Sequence, residues 1–206
     1  TVIFGNVAGL PTDGAPKFMF YMGGNIAWHY FSACLTTTSN TFITNRNLFG
    51  KVYFPRLTIP ISNVISSVIQ FGIQMLMVLG LLIYYVAIGA VSPNWGAWLA
   101  IPFALLHLGL LGLGCGIVIS SMTTKYRDLS ILVGFGVQLW MYITPVVFPM
   151  STLGNGGLYT LVMLNPVTCA VETFRWAFLG QGDFNLMYWG ISAAVMAAVV
   201  TLGVIV

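Results

Sequence analysis

Long apolar stretches separated by short polar segments dominate the chain, and their lengths predict five membrane-crossing helices, since about 20 helical residues span a bilayer core. The first covers 18–42 and ends in a polar half, Thr36-Thr37-Thr38-Ser39-Asn40, which predicts contact with other helices or a cavity rather than lipid. The second, 61–91, is longer than a crossing requires and predicts tilt or protrusion. Ser92-Pro93-Asn94 reads as a turn into the third span, 95–122, and 123–128 as a short polar loop into the fourth, 129–148. The fifth covers 184–206.

Residues 149–183 break this rhythm. They are hydrophobic, yet hold Gly154, Gly156, Gly157, Asn165-Pro166, Glu172 and Arg175. Proline lacks an amide donor and restricts its neighbour, so Asn165-Pro166 leaves half-helices of about 158–164 and 167–179. Each is too short to cross alone. A re-entrant or interfacial hairpin is the preferred reading, with an ordinary kinked span as its rival.

Composition turns this pattern into a class. The 206 residues are 58% hydrophobic and 5% charged, with a mean hydropathy of +0.93, far too few charges to clothe a water-soluble surface. Lipid is then the outer solvent, which allows helices or closed barrels. The continuous runs exceed the alternating segments of about 10 residues that barrel strands show, so the fold class is all-α and polytopic. A net charge of +3 is too small to argue for nucleic acid, no basic stripe exists, and no nucleic-acid partner is expected.

Sidedness follows from the cations. Arg46, Lys51 and Arg56 precede the second span, while Lys125 and Arg127 follow the third. Two crossings separate them, so both groups share one side, and five of the seven basic residues mark it as cytoplasmic. Residues 1–16, the 92–94 turn and the 149–183 hairpin then lie outside. Trp95, Trp98, Tyr159, Trp176, Tyr188 and Trp189 fall near the outer ends, as an interfacial belt would. The chain opens on Thr1 in a polar, turn-rich loop, so the natural protein is expected to extend beyond both ends.

No catalytic or metal-binding set emerges. Gly112-Leu113-Gly114-Cys115-Gly116 lacks the Lys-Ser/Thr and the preceding strand of a phosphate loop, and reads instead as close helix packing through Gly112 and Gly116. His29 and His107 have no carboxylate or cysteine at ligand spacing and read as polar packing or cavity-lining residues. Cys34, Cys115 and Cys169 read as small apolar packing residues. The four acids, Asp13, Asp128, Glu172 and Asp183, form no close pair for acid–base work.

Three stretches carry stronger hints. Glu172 and Arg175 stand three apart on one half-helix and form either an outer gate element or a salt bridge that only fastens the hairpin. Lys125-Tyr126-Arg127-Asp128 is an inner loop or a simple interfacial anchor. The segment 45–56 mixes Leu48, Phe49, Val52, Tyr53 and Phe54 with three cations, and suits a short surface helix ended by Pro55. It fits lipid contact or docking of a cytoplasmic partner equally.

Lys51-Val52-Tyr53-Phe54-Pro55-Arg56, followed by Ile59-Pro60, resembles the signature after the second membrane helix of polysaccharide-export permeases. These are the membrane subunits of ATP-binding-cassette type-2 exporters of O-antigen, capsule or teichoic-acid chains. Tyr126-Arg127-Asp128 resembles that family's inner loop, and Thr144-Pro145-Val146-Val147-Phe148-Pro149 the end of its fifth helix, with Thr144 where the family often has Ser. Leu164-Asn165-Pro166, then Glu172 and Arg175-Trp176, resembles its outer gate hairpin. The four motifs occur in the family's order along nearly the whole chain.

The resemblance implies one permease domain over 1–206, with the five spans as the second to sixth of six helices. A first span and an amphipathic amino-terminal helix would be missing. It implies an outer loop at 1–16, a cytoplasmic coupling segment within 43–60 and an outer gate hairpin at 149–183. Asn45, Leu48, Lys51, Tyr53, Phe54 and Arg56 would meet the ATPase subunit, and Pro145, Asn165, Pro166, Glu172 and Arg175 would form the gate. The implied partners are a second copy of the chain, two cytoplasmic ATP-binding-cassette subunits that bind ATP and magnesium, and an undecaprenyl-pyrophosphate-linked glycan. The chain itself would be no enzyme, hold no cofactor and reside in a bacterial cytoplasmic membrane. Trp28, Tyr30, Phe31, Trp140 and Tyr142 could offer flat faces to sugar rings, or serve as ordinary lipid and core contacts. Export of a drug or simple lipid, or a membrane-embedded glycosyl- or acyltransferase, are the rival functions.

Overall fold

The computed structural model describes residues 14–44, 57–125, 128–154, 156–182 and 184–205, the side chains of 42, 43, 124 and 125 excepted. Among these residues the regular structure is helical. Helix α1 covers Lys17–Ser39, α2 is the single turn Thr41–Thr44, and α3 covers Thr58–Ala87. A 3₁₀ segment, Trp95–Ala100, leads into α4, Ile101–Lys125. Then come α5, Leu129–Ile143, a 3₁₀ turn at Met150–Leu153, α6, Gly157–Met163, α7, Pro166–Leu179, and α8, Leu186–Ile205.

Among the described residues, three stretches are long and apolar enough to cross a membrane: Thr58–Ala87, Trp95–Thr123 and Leu186–Ile205. The other two expected spans differ from them. Helix α1 has the length, but its carboxyl-terminal turn is hydroxylic and most of its surface is covered by neighbours. Helix α5 is apolar but ends at Ile143, about 22 Å of helix, because Pro145 removes the donor that would continue it.

Helices α1 and α4 form the centre of the bundle, with α4 touching both α1 and α8. Glycines allow this. A Cβ on Gly112 would sit 2.7 Å from Cys34 Cβ, and one on Gly116 would sit 2.5 Å from Thr38 Cβ. On the opposite side of α4, a Cβ on Gly114 would meet Val200 at 3.0 Å. The expected packing through Gly112 and Gly116 is therefore present, and it binds α4 to α1. Thr123 Oγ1 donates to Ser39 O at the far end of the same contact, at 3.3 Å.

Burial is inverted relative to a soluble protein. Ile73, Leu76, Ile83, Phe103 and Ile205 are all more than 65% exposed, whereas Glu172 and Arg175 are 3% and 2% exposed. Apolar side chains line the outside because lipid accepts them, and polar ones turn inward to find partners.

Candidate functional site

The hairpin at 149–183 is built from the two half-helices expected, α6 and α7, joined at Leu164-Asn165. The two halves differ in burial, since Leu158 and Leu161 of α6 and the following Leu164 are exposed whereas α7 is packed inside. Val167 to Leu179 is buried throughout except at Trp176, and α7 packs on α1, α4 and α8. Its carboxyl-terminal end meets the turn before α4, where Asn94 N and Trp98 Nε1 each donate to Ala177 O at 3.2 Å. Gly180 closes the helix at φ 68°, a left-handed position packed against Ser92 O where a Cβ would be strained.

With its carboxyl-terminal end at this turn and a length of about 21 Å, α7 carries Pro166 into the bundle, between α4 and α8. Polar backbone at such depth needs partners. Asn165 caps the helix by accepting from Val167 N at 3.2 Å. Ser192 Oγ on α8 donates to Pro166 O at 2.8 Å, and His107 Nε2 on α4 lies 2.9 Å from that hydroxyl and 3.2 Å from the same carbonyl. Since the serine proton goes to the carbonyl, this geometry calls for the Nε2–H tautomer of His107. His107 thus takes the polar-packing role, while His29 is exposed on α1.

Two of the sequence motifs meet here. Asn165 Nδ2 donates to Thr144 Oγ1 at 2.9 Å, and Trp140 Nε1 donates to Asn165 Oδ1 at 3.2 Å. Fifteen residues before Gly180, the hairpin tip is therefore tied to the end of α5. Farther along α7, Arg175 joins the same segment. Its Nη1 donates to Glu172 Oε1 at 2.7 Å and to Phe148 O at 3.2 Å, and its Nη2 donates to Val146 O at 2.9 Å. The guanidinium also stacks over the Phe20 ring at 4.0 Å. Pro145 is buried between these anchors. The pair is thus no exposed surface bridge. It borders a cavity of about 160 Å³ lined by Phe20, Met150, Ser151 and Gln181.

The aromatic candidates separate. Trp28, Tyr30 and Phe31 are buried, with Phe31 5.2 Å from Trp140 and Tyr30 5.5 Å from Phe71 between ring centroids. They pack against protein in this arrangement, Trp140 is half-buried, and Tyr142 is 53% exposed. Of the aromatics expected in an outer belt, Trp95 stacks on Trp98, Trp176 stacks on Phe184, Tyr159 lies 6.4 Å from Tyr188, and Trp189 packs edge-on against His107. The hydroxyls of Thr36, Thr37 and Ser39 return to carbonyls of their own helix at 2.6, 2.7 and 2.9 Å.

Asn45, Leu48, Lys51, Tyr53, Phe54, Arg56, Tyr126 and Arg127 lie outside the described residues. Asp128 is exposed just before α5, where its carbonyl accepts from Ile131 N at 3.2 Å. Sequence reasoning missed Ser192, because a serine 85 residues from its histidine carries no local signal. It also missed the carbonyls of Val146 and Phe148, which belong to the backbone and leave no trace in residue type.

Residues 1–179 match the family described as ABC-2 type transporter. The chain belongs to that family. Two proteins of Klebsiella pneumoniae, each named O-antigen export system permease protein RfbA, are 26% identical to this ABC-2 chain over 170 residues, 82% of it and 63% of each relative. A protein of the same name from Myxococcus xanthus is 26% identical over 167 residues, 79% of this chain and 62% of the relative. The chain spans less than two thirds of these curated relatives. As a member of the family with apolar spanning helices, it is a multi-pass membrane protein.

Proposed function

We propose that this chain is the transmembrane subunit of an ATP-driven exporter that passes a lipid-linked polysaccharide across a bacterial cytoplasmic membrane. The observation that carries the reading is the family match together with relatives named for O-antigen export. In this reading two copies of the chain enclose the path. Separate cytoplasmic subunits bind ATP and magnesium and push on the segment holding Asn45, Leu48, Lys51, Tyr53, Phe54 and Arg56. The loop of Tyr126, Arg127 and Asp128 lies on that same inner side. The cargo is a glycan on an undecaprenyl-pyrophosphate carrier.

The α6–α7 hairpin serves as the outer gate. Its anchors support this role: Asn165 and Arg175 tie it to the end of α5, so a shift of α5 carries the hairpin with it. Tyr142, exposed on α5, is the aromatic best placed to meet a sugar ring.

Affinity purification of the tagged full-length protein in mild detergent tests the reading. A stoichiometric ATPase subunit is expected, with loss of surface glycan when the gene is deleted. Lys51→Glu or Arg56→Glu should weaken ATPase association. A chain that purifies alone, without ATPase activity, sinks the proposal, and unchanged surface glycan with an ATPase bound points to a drug or lipid cargo.

A further inference from the structure

Helix α1 is not continuous with α2. It ends at Ser39, Asn40 sits at φ −93° and ψ 0°, and the single turn α2 starts at Thr41. A ψ so far from the helical value of about −42° marks a place where the chain can bend. Asn63, half-buried near the start of α3, spans that break. Its Nδ2 donates to Thr37 O at 3.3 Å, before Asn40, and to Thr41 Oγ1 at 3.0 Å, after it. Thr41 is buried, and its hydroxyl donates in turn to Thr37 O at 3.0 Å, which closes a triangle of three hydrogen bonds.

The last carbonyls of a helix find no partner within it. On α1, side chains of two other helices take up this role: Asn63 of α3 at Thr37 O, and Thr123 of α4 at Ser39 O. A carbonyl served by water can move freely past its partner. One served by a side chain fixed on a neighbouring helix moves only with that helix or by breaking the bond. The α1–α3 contact also continues beyond the triangle. Ser67 Oγ donates to Asn63 O at 2.9 Å, and Phe71 packs edge-on against Tyr30 of α1, 5.5 Å between ring centroids.

We propose that Asn63 is a positioning residue that splints the joint between α1 and α2, so that motion imposed on the chain between Thr41 and Asn63 reaches α1 and α3 together. Without the splint, bending at Asn40 would absorb that motion. The role rests on the export reading, in which the ATPase subunit pushes on residues within this interval. Asn63 touches neither cargo nor nucleotide in that reading and acts through Thr37 and Thr41.

Asn63→Leu and Thr41→Val remove the tie in the full-length protein, assayed with its ATPase subunit in native membranes. Surface glycan should fall at least about tenfold while ATP hydrolysis by the complex stays within about twofold, a split that general unfolding does not produce. Thr41→Ser keeps the hydroxyl and should export at the native rate. Thr41→Cys with Asn63→Cys, bridged by a short bis-methanethiosulfonate, should regain export, and reduction of the bridge should abolish it again. Each single cysteine variant and the unsubstituted chain, treated with the same reagent, supply the background. Native export by Asn63→Leu overturns the splint by showing that the tie carries no motion. Export blocked by the bridge overturns it by showing that the two residues separate in each cycle. Export and hydrolysis lost together, and not restored by the bridge, overturn it by marking a merely structural bond. If Asn63→Leu does not fold, the bridged pair alone decides. An unsubstituted chain without an ATPase partner overturns the export reading and the splint with it, whereas a working native complex confines any failure to the splint.

Discussion

Asn165 donates its side-chain amide to Thr144 Oγ1 at 2.9 Å, joining the tip of a half-helix to the end of the preceding span. The same side chain accepts from Val167 N and Trp140 Nε1. One residue thus caps α7 and fixes it to α5. Thr144→Ser keeps the acceptor and should leave stability within about 0.5 kcal/mol. Thr144→Val strands the half-buried Asn165 amide and should cost about 1 kcal/mol or more. Thermal unfolding in detergent, followed by tryptophan fluorescence, separates the two.

Arg175 and Glu172 face each other in the packed interior, so removing one should cost more than removing both. Arg175→Met leaves a buried carboxylate without its guanidinium and should destabilise by about 3–5 kcal/mol. The double substitution Glu172→Gln with Arg175→Met should recover part of that loss. Equal midpoints for the single and double variants would show that the pair is solvated.

The glycines of the α1–α4 contact predict a contrast within a single substitution type. Gly112→Ala and Gly116→Ala push a methyl into Cys34 and Thr38 and should cost about 1–3 kcal/mol by overpacking. Gly134→Ala and Gly136→Ala on α5 meet nothing within 4 Å. They should be neutral or stabilising by up to about 1 kcal/mol, since alanine favours helix. Unfolding midpoints of the four variants check this, and a common shift would refute the close approach.

Ser192 and His107 share the carbonyl of Pro166, so their contributions should not add. A double-mutant cycle of Ser192→Ala and His107→Phe should give a coupling of about 0.6–1.7 kcal/mol, the range for hydrogen bonds inside membrane bundles. Additive losses would mean that the two residues act independently on α7.

Residue pattern alone settled the solvent, the helices and their breaks. Continuous apolar runs without charge can only be helices in lipid, and Asn165-Pro166 must end one helix and start another, because proline carries no amide and asparagine can cap. The Thr-Pro and Asn-Pro motifs were legible one at a time, as was the small-residue spacing of Gly112 and Gly116. Their partners were not. That α7 is buried while α6 leaves Leu158 and Leu161 exposed, that Arg175 takes the carbonyls of Val146 and Phe148, and that Trp28, Tyr30 and Phe31 turn inward were decided by packing. Local pattern follows from backbone geometry and side-chain type, which each short segment carries within itself. Which polar group meets which carbonyl depends on residues tens of positions apart, and the bundle alone brings them within reach.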